Sequence, residues 1–126
     1  MKKLLFITIS TLLLFGCSRG IREVDFVYYN LSRHQIYVTD VNGLPSWVSP
    51  GVLVPVSDDT NRLNEKSFAS WEAVRVADQL RIRWTETDKS EEVSLNRTEL
   101  SLPTKLTGGR LCFTYLGNQK WRVVLR

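Results

Sequence analysis

Few side chains in this 126-residue chain are of a type that does chemistry on its own. There are two cysteines, Cys17 and Cys112, a single histidine, His34, and an acidic pair, Asp58-Asp59. One histidine and one remaining thiol fall short of the four ligands of a structural zinc site. No strand-to-helix elbow presents a serine for His34 to activate. Asp58-Asp59 lies in "SDDTNR", without the ligand spacing of an EF-hand calcium loop. Gly108-Gly109 leads into a strand-like run rather than a helix, so it does not cradle a phosphate. His34 reads as a surface residue at a strand start, and the acidic pair as a solvated turn. The chain is expected to be no enzyme and to hold no metal and no cofactor.

Cys17 is different, because of what precedes it. Met1, Lys2 and Lys3 form a positive start, and Leu4 to Phe15 is apolar except for Thr8, Ser10 and Thr11. Gly16 is small, and the run stops at Cys17. Charge, apolar core and small residue are the layout of a secretory signal peptide. The block is too short for a transmembrane helix, which needs about 20 apolar residues.

Leu14-Phe15-Gly16-Cys17 resembles the lipobox of bacterial lipoproteins, although Phe15 stands where a smaller residue is usual. The resemblance implies a diacylglycerol thioether on Cys17, cleavage just before it, and acylation of the new amine. Stable anchoring takes at least two acyl chains, which a multiply acylated Cys17 supplies. Ser18, rather than Asp, then implies the outer membrane, on its periplasmic face. The expected division is a signal peptide over residues 1–16 and a lipid-anchored domain over residues 17–126.

That domain has 110 residues, one domain's worth. Without Lys2 and Lys3, 15 basic residues face 13 acidic ones, so the net charge is only +2. Nucleic acid is therefore not an expected partner. With Cys17 acylated, Cys112 lacks an intrachain partner and reads as a small buried hydrophobe in "RLCFTYL".

Alternation dominates the rest. "REVDFVYYN", "HQIYVTDV", "GVLVPVS", "LRIRWTE", "EEVSLNR", "RLCFTYL" and "KWRVVLR" read as strands, with turns at Asn42-Gly43, around Asp88-Lys89, and at Leu116-Gly117-Asn118-Gln119. About seven strands imply an all-β fold, a single antiparallel β-sandwich of immunoglobulin-like or Greek-key type. Pro55 argues for a sheet edge. Between Asn61 and Asp78 a loop with a helical turn around Phe68 and Trp71, then a strand, is expected. The order "YYN…VNG…PG", Trp84, then "GGRLCFTYLGNQKWRVVL" resembles small lipoproteins of Gram-negative bacteria. Some relatives of these are encoded beside type VI secretion effectors and act as immunity proteins.

The parity of the strands sorts their residues. Leu80, Ile82 and Trp84 should face the core, with Arg81 and Arg83 opposite; Trp121, Val123 and Leu125 should face it too, with Arg122 and Arg126 opposite. If these strands share a sheet, Arg81, Arg83 and Arg122, with Lys120 and Arg126, form a basic stripe that suits an acidic protein or an anionic polymer. Trp47 and Trp71 lie outside the clean strands and read as partner anchors or as plugs of the sandwich ends. Two functions fit: a non-enzymatic protein-binding module, such as an immunity or inhibitor protein against a secreted effector, or a structural accessory lipoprotein of an envelope complex or peptidoglycan.

Overall fold

The computed structural model describes residues 22–56 and 66–126. Ten strands run in order among the described residues: β1 (Val24–Asn30), β2 (Ile36–Asn42), β3 (Gly51–Leu53), β4 (Lys66–Ser70), β5 (Val74–Arg75), β6 (Gln79–Thr85), β7 (Ser90–Asn96), β8 (Lys105–Leu106), β9 (Gly109–Gly117) and β10 (Lys120–Leu125). A single 3₁₀ turn, Ser46–Val48, lies between β2 and β3. Sheet A has the order β10-β9-β1-β4 and sheet B the order β3-β2-β6-β7, with β5 and β8 forming a separate ribbon. The fold is an all-β sandwich.

All seven expected strands are present. One pairing departs from the antiparallel expectation: β1 and β9 run parallel, from Val24 beside Gly109 to Asn30 beside Tyr115. The helical turn expected near Phe68 is absent. Lys66–Ser70 is instead a strand paired antiparallel with β1, Phe68 opposite Phe26. Pairing to a preformed neighbour outweighs the helix propensity of so short a stretch, which is weak in isolation.

The inner faces of the two sheets meet in one core. Val24, Phe26 and Tyr28 of β1, Leu111, Phe113 and Tyr115 of β9, and Leu80, Ile82 and Trp84 of β6 are all buried there. Tyr28 stacks on Phe113, with centroids 4.6 Å apart. Trp84 crosses between the sheets to touch Tyr115 at 5.5 Å and Trp121 at 5.6 Å. The expected inward parity of Trp84 and Trp121 holds.

The middle strands of sheet A are buried on both faces. Val27, Tyr29 and Cys112 form a second cluster on the outer side, packed against Val56. The burial of Cys112 matches its reading as a small hydrophobe. Asn30 is buried at the end of β1. Its Nδ2 donates to the carbonyls of His34 (2.7 Å) and Leu53 (3.0 Å), and its Oδ1 accepts from Ser32 N (2.9 Å). This amide ties sheet A to the start and edge of sheet B.

Two turns need special backbone. Asn118 and Gln119 both have positive φ, 51° and 66°, the two-residue turn whose twist suits a hairpin. Gly43, at φ 98°, passes so close to the chain that a Cβ there would lie 2.6 Å from the Gln79 carbonyl.

Candidate functional site

The outer face of sheet B holds the strongest candidate surface. In β2, Ile36 and Val38 point inward and Tyr37 outward. A bulge between Val38 and Asp40 then returns Val41 to the core. In β6 the uninterrupted alternation leaves Arg81 and Arg83 exposed. Strand pairing sets Tyr37 beside Val52 of β3 and beside Thr85 of β6. Arg83, two residues from Thr85, is therefore a diagonal neighbour of Tyr37. Tyr37 is 51% exposed, Val52 39% and Val54 43%. An apolar and aromatic strip thus lies at the β3 edge, with Arg83 beside it.

The charge on this face is moderated. Arg83 lies between Asp40 and Glu92 in the register and reaches Glu92 Oε2 at 3.5 Å. Both partners are half exposed, so the pair contributes at most about 1 kcal/mol. Arg81 lies between Asn42 and Ser94 and makes no ion pair among the described residues. It borders an open cleft of about 690 Å³, lined also by Asn42, Gln79 and Asn96. Gln79 Nε2 donates to Asn96 Oδ1 at 3.3 Å, which makes a planar amide shelf.

The expected stripe of three arginines is not formed. Arg122 belongs to β10, in the other sheet, and its parity faces it away from the shared core, so it lies across the sandwich from Arg81 and Arg83. Trp47 sits in the 3₁₀ turn and meets Phe26 edge-on at 5.7 Å, yet remains 46% exposed. It plugs the sandwich and offers one edge to solvent. Trp71, just after β4, is 71% exposed. Neither tryptophan joins the arginines. Cys17 and Asp58-Asp59 lie outside the described residues. Tyr37, Val52 and Val54 were not singled out from sequence, although the alternation of "HQIYVTDV" and "GVLVPVS" carried the signal.

A second polar group spans the two sheets near the β6–β7 turn. Tyr115 Oη donates to Glu86 Oε2 at 2.7 Å and accepts from Gln119 N at 3.4 Å. Gln119 Nε2 donates to Glu91 Oε1 at 3.0 Å. Burial, and secondarily the Glu86 carboxylate, raises the Tyr115 pKa. The Gln119 backbone N–H and then the Trp84 indole N–H pull the other way. Glu86 also lines a smaller cleft of about 330 Å³ with Arg33, His34 and Asn118. Among the described residues the His34 imidazole makes no hydrogen bond; Asn30 and Ser32 hold its backbone. This arrangement clasps the sheets together.

No group of three or more His, Cys, Asp or Glu among the described residues could hold a metal ion. None of their helices is long and apolar enough to cross a membrane. Comparison with family models, curated proteins and solved structures finds no match to this chain.

Proposed function

We propose that this protein is an outer-membrane-anchored periplasmic lipoprotein that acts as a non-enzymatic protein-binding module, most specifically an immunity or inhibitor protein against a secreted effector. The observation that supports binding is the strip of Tyr37, Val52 and Val54 beside Arg83 on the outer face of sheet B. Exposed apolar side chains in a contiguous group mark interaction sites. Tyr and Arg are over-represented among the residues that dominate binding energy. The anchor is supported by the sequence through Cys17.

The amide shelf of Asn42, Gln79 and Asn96 beside Arg81 favours a second reading, an accessory lipoprotein that holds peptidoglycan. Planar amides and a guanidinium suit sugar hydroxyls and peptide carboxylates.

The test uses the detergent-solubilised full chain, as wild type and as Tyr37→Ser/Arg83→Ala. Each is added to a purified secreted effector encoded beside this chain. Stoichiometric inhibition by the wild type, lost in the variant, supports the first reading. Absence of inhibition, with co-sedimentation on purified peptidoglycan that Asn96→Ala weakens, replaces it with the second.

A further inference from the structure

The end of the sandwich at which the described chain begins is chemically unlike the rest. Val24 of β1 pairs with Gly109, at the start of β9, and with Ser70, at the end of β4. Arg126, after β10, exchanges two backbone hydrogen bonds with Arg110, at 2.9 and 2.8 Å. Arg22 N donates to Thr107 O at 2.9 Å, which places the entering chain beside the β5–β8 ribbon. The ends of all four strands of sheet A and the ribbon therefore meet at one pole.

Arg22, Arg75, Lys105 and Arg126 are exposed at this pole, and Arg110 is half-buried. The acids close by are Glu23, Asp25 and Glu72, with Asp25 opposite Arg110 in the register. On the ribbon, Val74 and Leu106 turn into the core, while Arg75 and Lys105 stand directly opposite each other on the wet side. Neither forms an ion pair among the described residues. Like charges directly opposite on a ladder destabilise it, so this pair is suited to an anionic partner. Trp71, one residue beyond Ser70, is the most exposed of the large hydrophobic side chains described.

We propose that this pole is the membrane-facing surface of the domain. Arg22, Arg75 and Lys105 rest on anionic phospholipid headgroups, and Trp71 enters at headgroup level, where Trp is enriched in membrane proteins. The inference rests on the reading of Cys17 as the anchor. Five residues lead from Cys17 to Arg22, and they span at most about 18 Å however they run. The pole is thus kept near the bilayer, so lipid is its partner ahead of any soluble polyanion. A basic patch is also the usual second signal that strengthens a lipid anchor. Docked in this way, the domain leaves the outer face of sheet B and the turns at its far end open to other proteins.

The full chain, purified from cells and checked by mass for acyl groups on Cys17, is reconstituted into two kinds of vesicle. One is phosphatidylcholine alone; the other contains phosphatidylglycerol; both carry brominated acyl chains that quench indole fluorescence. The Trp71 signal is the difference between wild type and Trp71→Phe, and unchanged emission from buried Trp84 and Trp121 reports that the fold is intact. We expect Trp71 to be quenched in the anionic vesicles only, and quenching to fall in high salt. Each basic residue lost should weaken docking about fivefold, so Arg75→Gln/Lys105→Gln should lower it about 25-fold. An acylated chain whose Trp71 stays unquenched, or is quenched equally on neutral vesicles and in the double variant, overturns the assignment of the pole and leaves the anchor standing. A chain without acyl groups that still docks on anionic vesicles through these residues supports the pole and removes the anchor.

Discussion

The Tyr115 hydroxyl donates to Glu86 across the sandwich at 2.7 Å, whereas the Tyr28 hydroxyl, in the same core, has no hydrogen-bond partner among the described residues. Two tyrosines on neighbouring parallel strands thus carry opposite consequences for their oxygen atoms.

Removing each hydroxyl should separate these consequences. Tyr115→Phe leaves Glu86 without its donor and should cost about 1–2 kcal/mol. Tyr28→Phe removes an unsatisfied buried group and should be neutral or stabilising. Chemical denaturation of both variants at neutral pH checks this.

The same phenols set an alkaline limit. Burial raises the pKa of Tyr28 well above the usual tyrosine value, and burial with Glu86 raises that of Tyr115. Above the unfolded value of about 10 the unfolded chain loses these protons first. It then binds fewer protons than the native state, so stability falls as pH rises. Below that pH the contribution is fully present. Stability measured from pH 8 to 11 should decline at the upper end, and less steeply in Tyr28→Phe.

Trp84 is fully buried and touches both Tyr115 and Trp121. Trp84→Ala should cost about 3–5 kcal/mol, a large part of a typical stability of about 5–15 kcal/mol. An unchanged denaturation midpoint would contradict this packing.

Asn30 satisfies two carbonyls and accepts from Ser32 while fully enclosed. Asn30→Ala removes the side-chain donor to the Leu53 carbonyl, while the His34 carbonyl keeps the Ser32 hydroxyl, and should cost about 1–3 kcal/mol. Hydrogen exchange should quicken first at β3 and at the β1–β2 turn, the segments that this amide holds.

Cys17→Ser removes the thiol that a lipid thioether requires. Labelling cells with a clickable fatty acid should mark the wild type and not the variant, which should accumulate as uncleaved precursor. Equal labelling would place acylation elsewhere.

Strand parity was legible in the sequence because it is local. The alternation of Leu80, Ile82 and Trp84 against Arg81 and Arg83 follows from the two-residue period of an extended chain, and the structure keeps it. The hairpin at Asn118-Gln119 was legible for the same reason, since turn geometry depends on a few adjacent residues. Which strands become neighbours is not local. Arg122 has the expected outward parity, but β10 pairs with β9 and β6 pairs with β2 and β7, so the three arginines divide between two faces. Phe68 lies in a strand because β1 offers a free edge to Lys66–Ser70, a partner distant in sequence. Tyr37 and Val52 become one apolar strip only through the β2–β3 register. The cross-strand pair of Arg75 and Lys105 is likewise made by contact between residues 30 positions apart. The sequence by itself determined the inward and outward residues of β6 and β10 and the apolar run before Cys17. Tertiary pairing alone decided which outward residues share a surface, because hydrogen bonding between distant strands, and not the period within one, sets their order.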